Sequence, residues 1–338
     1  MKRKQFLSSL LPLTVSIKTV SQSLEIPQEA TIKIPPYLKK HDVIALVSPA
    51  GTITQEEIQP ACNKLDEWGF RVKIGGTIGK KDFTLGGTDE ERLADLQAMM
   101  NDPGVQAIMA GRGGYGLVRI IDKIDFRKFI RHPKWIIGFS DITVMHSHIN
   151  RHYNIATLHS KMCNSFPEDW NSAEPQQVDS LNSIRQCLVG EKMNYEIPSN
   201  PKNRTGNAFG PLIGGNLKTL ENLSGTNSSV QTRGKILFVE DAGEYLYSID
   251  RMFWNLKRSG KLEHLKGLVV GGFRPRQDDI GEEFGRSVED IVMDKVKEYN
   301  FPVCFDFPVG HQKHNVALKC GVIHSFAVSG SIVRLRED

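Results

Sequence analysis

Trp135-Ile136-Ile137-Gly138-Phe139-Ser140-Asp141 is an apolar run closed by a glycine, an aromatic residue and a serine. Directly after it Ile142, Val144, Met145 and Ile149 begin an amphipathic helical pattern. The stretch therefore predicts a buried strand, a tight turn and the first turn of a helix, with Ser140 at the corner. A hydroxyl there is exposed at a sheet edge, beside helix N–H groups that favour developing negative charge, which suits an acyl-transfer nucleophile. The same residues fit an ordinary helix N-cap, because Ser followed by Asp before an apolar run is a common start signal. The fuller nucleophile elbow G-x-S-x-G is broken here by Ile142.

Working outward, strands and helices alternate without an internal sequence repeat. Residues 42–47 form a short β-branched run ending at Ser48-Pro49-Ala50-Gly51, and a helical pattern follows from Thr54 to Gly69. Residues 71–74 and 106–110 read as further strands. Between them Thr88-Asp89-Glu90-Glu91 opens a helix as a capping box. Strands alternating with helices predict a doubly wound, mainly parallel sheet that carries Ser140. Residues 164–207 change character, with Trp170, Pro175 and several Ser and Asn, and read as a connection holding one helix near 181–188. Beyond it strands are expected at 235–239, 268–272, 303–307 and 320–328, with helices at 216–223, 247–257 and 286–299. The expected fold class is α/β with two domains: a lead-in at 1–40, a nucleophile domain at 41–163, the connection at 164–207, and a smaller α/β or β-rich domain at 208–338.

The chain has 338 residues, enough for two cores, with 39% apolar and 24% charged residues, as in ordinary globular proteins. A net charge of +4 without a dense Lys/Arg block argues against a nucleic-acid partner. The five cysteines, Cys62, Cys163, Cys187, Cys304 and Cys320, have neither zinc-ligand spacing nor the pattern of a disulfide framework. At the N-terminus Lys2-Arg3-Lys4 precedes the apolar run 6–13, and Ser21-Gln22-Ser23 offers small residues for cleavage. This resembles a poor signal peptide or a weakened twin-arginine signal, thinned by Ser8, Ser9 and Pro12. Both an exported and a cytoplasmic location are compatible with it. No other run is apolar and long enough to span a bilayer, so no stable membrane insertion is expected.

Three further places carry candidate chemistry. Gly111-Arg112-Gly113-Gly114-Tyr115-Gly116 follows a strand, where consecutive N–H groups can form an anion-binding nest. It satisfies neither the dinucleotide nor the G-K-[ST] phosphate signature, so an N–H donated to an oxyanion fits better than a nucleotide site. Glu240 ends an apolar strand at the edge where open α/β sheets place functional groups, with Asp241 and Glu244 close behind. His311 follows Phe307-Pro308-Val309-Gly310, another strand end, with His314 and Asn315 nearby. Ser140, Glu240 and His311 at three strand ends would complete a triad if the two domains face each other. His146, His148 and His152 lie on the helix after Ser140 without an H-E-x-x-H motif, and His159 is a second-choice base.

In this order, Val47-Ser48-Pro49-Ala50-Gly51, Gly111 to Gly116, Gly138-Phe139-Ser140-Asp141, Leu212-Ile213-Gly214-Gly215-Asn216-Leu217, Phe238-Val239-Glu240-Asp241, Ile249-Asp250-Arg251-Met252 and Pro308-Val309-Gly310-His311 resemble the LD-carboxypeptidase family of serine peptidases. That family includes muramoyltetrapeptide carboxypeptidases and microcin C immunity proteins. The resemblance implies a Ser140-Glu240-His311 triad across two domains. It implies an oxyanion hole from the N–H groups of Asp141 and of Gly113 or Gly114. The implied reaction releases terminal D-alanine from murein tetrapeptides, with no metal or organic cofactor, by a homodimer. Arg112 and Asn216 are expected to contact the substrate, Arg112 through its free carboxylate. Two points depart from the family or stay open. His159-Ser160-Lys161 stands where the family often has His-Gly-Pro, and Glu244 competes with Glu240 as the triad acid. The alternatives are hydrolysis of another acyl-amide, such as a microcin-type aminoacyl-nucleotide, and a non-catalytic binding protein for peptidoglycan fragments.

Overall fold

The computed structural model describes residues 32–338. The signal-like reading of Lys2-Arg3-Lys4 and its apolar run lies outside the described residues, as does most of the expected lead-in. Two mixed sheets, each flanked by helices, make up the described chain.

The first sheet is built from β1 (Val43–Val47), α1 (Gln55–Glu67), β2 (Arg71–Ile74), α2 (Asp89–Asn101), β3 (Ala107–Ala110), α3 (Arg127–Arg131), β4 (Trp135–Gly138), α4 (Thr143–Tyr153) and β5 (Thr157–His159). Its parallel strands run β2-β1-β3-β4-β5, so the order reverses between β1 and β3. In open α/β sheets ligands settle outside the carboxyl ends at that reversal. Alternate side chains of β1 explain the two-sided burial: Ile44 and Leu46 join the core under α1, while Ala45 and Val47 join the core under α2 and α4. Thr54 and Thr88 each close a capping box at a helix start, the second as expected from its sequence.

Then come α5 (Pro175–Leu188), β6 (Asn194–Pro198), β7 (Gly206–Asn216), α6 (Leu217–Asn222), β8 (Ile236–Ala242), α7 (Leu246–Arg258), β9 (Gly267–Arg274), α8 (Val288–Val296), β10 (Val303–Cys304), β11 (Leu318–Cys320), β12 (Ile323–Val328) and β13 (Ile332–Glu337). The second sheet runs β10-β9-β8-β7-β12-β13-β6, parallel from β10 to β7 and antiparallel beyond. Three expectations change. The supposed strand at 320–328 is two: β11 pairs antiparallel with β5 in the first sheet, and Gly321, at φ 90, turns the chain into β12 of the second. Strand β7, eleven residues with four glycines and a proline, fills a stretch to which the sequence reading assigns no strand and is central in the sheet. The region expected to be a plain connection with one helix also contains β6, a half-exposed edge strand paired with β13.

Candidate active site

Strand β4 delivers the nucleophile corner. Gly138 has φ 155 and Ser140 has φ 62, a left-handed backbone that costs a non-glycine residue roughly 1–3 kcal/mol and is held by its surroundings. A single 3-10 turn, Ser140–Ile142, leads into α4. The N-cap reading fails here: α4 is capped at Ile142 and neither helix has a side-chain cap hydrogen bond. Asp141 instead accepts the Leu117 N–H on Oδ2 at 2.9 Å, tying the corner to the end of the glycine loop. Burial pushes its carboxyl up to about 6.

The glycine loop lies against this corner. A Cβ on Gly113 would sit 2.8 Å from Ser140 Cβ and 2.9 Å from its Oγ, so only glycine admits so close an approach. The loop is pinned by Gly111 N–H to Val47 O at 2.7 Å, Gly51 N–H to Gly113 O at 3.0 Å and Asn164 N–H to Gly111 O at 3.0 Å. Arg92, which looks like a solvent-facing helix residue in the sequence, is fully buried. Its guanidinium donates to Pro49 O at 2.7 Å, Gly116 O at 3.0 Å and Gly87 O at 3.2 Å, and pairs with Asp89. Five directed donors let one side chain staple three loops.

From the second domain comes an acid–base pair. Glu240 is wholly buried within β8, beside a register break between Val239 and Asp241, not at the strand's end as its sequence suggested. Its Oε2 accepts His311 Nδ1 at 2.6 Å and the His311 N–H at 3.1 Å. Gly310, at φ 101, passes so close that a Cβ would meet Glu240 Cβ at 2.3 Å. Burial pulls the half-buried imidazole down, but the hydrogen bond and charge of Glu240, helped by Asp241, prevail and raise it above 6.5. With Nδ1 bound, Nε2 is the atom left for proton exchange. The ring of Phe139, the residue before Ser140, lies 5.0 Å from that of His311. Ser140, Asp141, Gly114, Asn216, Glu244 and His311 line one cavity of about 310 Å³.

Residues 44–160 match the model of the LD-carboxypeptidase N-terminal domain, and residues 209–325 that of the C-terminal domain. The chain belongs to the LD-carboxypeptidase family. A probable murein peptide carboxypeptidase of Bacillus subtilis is 33% identical over 289 residues, covering 85% of this chain and 89% of the relative. The murein tetrapeptide carboxypeptidase of Pseudomonas aeruginosa is 30% identical over 287 residues, covering 82% and 91%. Among solved structures, muramoyltetrapeptide carboxypeptidase from Oxalobacter formigenes superposes with TM-score 0.78 at 27% identity, over 87% of this chain and 98% of that one. An MccF-like protein of Bacillus anthracis, 23% identical, shares the fold with TM-score 0.78 over 90% and 99%.

Other candidate residues in this LD-carboxypeptidase-family chain take different places. Asn216 caps α6 by accepting from Thr219 N–H at 3.0 Å, and its own N–H donates to Thr143 Oγ1 at 3.0 Å across the two domains. Glu244 accepts Ser248 Oγ at 2.6 Å, whereas His311 is bound by Glu240. Arg112 is exposed outside the cavity lining, with a long 3.4 Å contact to Thr52 O. His159 is fully buried among Phe139 and Phe238, while His146 bonds Gly138 O at 2.8 Å. His148 and His152 hold Ser228 and Asn227, and His314 holds Asp179. A larger cavity, about 510 Å³, lies at the amino ends of β3 and β4 among Met100, Lys128 and Lys134, away from this chemistry.

Proposed function

We propose that the protein is a serine carboxypeptidase that cleaves the L,D-amide bond releasing terminal D-alanine from murein tetrapeptides. The observation that supports it most is a buried Glu240 bonded at 2.6 Å to His311, with His311 and the strained Ser140 facing one cavity. In this reading Ser140 Oγ attacks the scissile carbonyl and His311 Nε2 takes its proton. Glu240 holds the imidazole in one tautomer and offsets the charge it gains. The N–H of Asp141 and that of Gly113 or Gly114 stabilise the oxyanion. His311 then protonates the departing D-alanine amine, and water attacks the acyl-enzyme with the same base. Arg112, whose contact to Thr52 is long enough to be given up, takes the terminal carboxylate, and Asn216 contacts the peptide at the cavity wall.

Incubating the purified protein with murein tetrapeptide should yield tripeptide and free D-alanine by mass spectrometry, and Ser140→Ala should abolish both. Wild-type protein that leaves tetrapeptide intact while hydrolysing an aminoacyl-nucleotide would overturn the substrate. Assembly as a homodimer is the second part of this reading. A monomer mass in sedimentation at assay concentration would remove it.

A further inference from the structure

The segment after β5 touches three parts of the site: the Ser140 corner, the glycine loop and the His311 loop. Ser160 N–H donates to Gly138 O at 3.1 Å, at the foot of the Ser140 corner. Asn164 N–H donates to Gly111 O at 3.0 Å, at the start of the glycine loop. Between them the Lys161 ammonium reaches across the domains and donates to Gln312 O at 2.8 Å, one residue beyond His311. Gln312 is itself fixed, since its side-chain amide donates to Phe307 O at 2.8 Å and its N–H to Gly310 O at 2.8 Å.

We propose that Lys161 is a positioning residue for His311: it clamps the His311 loop to the nucleophile segment, and its positive charge opposes protonation of the imidazole. This rests on His311 serving as the general base. The groups facing that imidazole are Glu240 and Asp241 from β8, which favour its cation, and Lys161, which disfavours it. His159 on β5 is buried and held neutral, and Glu244 and Lys218 face the shared cavity. The acidic wall alone would hold His311 protonated to higher pH, where it cannot accept the Ser140 proton. A cation fixed on the Gln312 carbonyl limits that rise. Burial pulls Lys161 down to about 8, so at neutral pH it keeps most of its charge.

Lys161→Met removes clamp and charge, whereas Lys161→Gln keeps a donor and removes the charge. The His311 ring is followed by NMR in histidine-labelled protein without substrate, its signal assigned by its loss in His311→Asn. Both lysine variants should titrate at higher pH than wild type, by about half a unit for one lost neighbouring charge. On murein tetrapeptide the acid limb of kcat/KM should move the same way. Lys161→Met should lose about tenfold or more in kcat with KM within about twofold, as expected for a misplaced base, and Lys161→Gln should lose less. Titration curves that superpose on wild type in both variants overturn the proposal, even if kcat falls, because a purely structural clamp would leave them in place. Wild type that releases no D-alanine defeats the proposed function instead, and the NMR titration still decides Lys161.

Discussion

Ser140 keeps its left-handed φ of 62 because its neighbours leave it no cheaper place, and Gly113 is the neighbour with the least slack. Gly113→Ala would drive a Cβ to 2.8 Å from Ser140 Cβ and shift the hydroxyl. It should lower kcat/KM for D-alanine release by about 10- to 100-fold, and wild-type turnover would show that the corner absorbs the methyl. Glu240→Gln removes the charge that raises His311. The imidazole cation loses its partner, so the acid limb of the pH profile should move to lower pH while kcat falls by about 10²–10⁴-fold. An unmoved limb would mean that Glu240 does not set that titration. Ser140 and His311 were legible in the sequence because each follows an apolar run that ends in a glycine-bearing turn. Arg92 was not, since a cation among acidic helix residues reads as solvent-facing until the fold buries it, and Lys161 was not, since nothing local shows that it reaches the Gln312 carbonyl 151 residues away.

At the level of elements, the glycine loop is held by a buried carboxylate at one end and a buried guanidinium along its length. Asp141 receives the Leu117 N–H, yet its carboxyl lies at about 6 against an ordinary 3.8, so burial outweighs that bond. The sign follows from proton binding. The folded chain holds this proton more tightly than the unfolded chain, so stability is lost as pH rises from about 4 through 6 and stays lower above. Asp141→Asn keeps an acceptor for Leu117 and removes the buried charge. It should stabilise the protein at pH 8 by about 1–3 kcal/mol and make no difference near pH 4, measured by urea unfolding at both values. A gain of equal size at the two pH values would assign the effect to packing. The loop's glycines announced a close approach in sequence. The Ser-Asp pair, by contrast, misled toward an N-cap, because the acceptor's true partner lies 24 residues away on the other side of the loop.

For the whole molecule, the alternation of strands and helices made the first sheet readable, since β1, β3 and β4 are solid apolar runs and α1 and α2 open on capping boxes. The second sheet was harder: β7 spends glycines on closeness to its partners, as at Gly215, where a Cβ would meet Thr143 Oγ1 at 2.4 Å, and so lacks a strand's alternation. The crossing at Gly321 was hidden as well, because pairing between β5 and β11 spans more than 150 residues and leaves no local pattern. That crossing carries a buried ion pair joining the sheets. Lys319 on β11 donates to Glu337 on β13 at 3.0 and 2.9 Å and to Glu191 O at 3.0 Å, and both side chains are almost fully shielded. Glu337 also accepts the Met193 N–H at 3.0 Å, so it cannot simply turn to water when its partner is lost. Lys319→Met should therefore cost about 3–5 kcal/mol in urea unfolding, because it strands a buried carboxylate. Adding Glu337→Gln neutralises that carboxylate while keeping an acceptor for Met193, and the double variant should recover at least half of the loss. Additive losses in the double-mutant cycle would mean that the two side chains act separately, and that the sheets are joined by apolar packing without help from this pair.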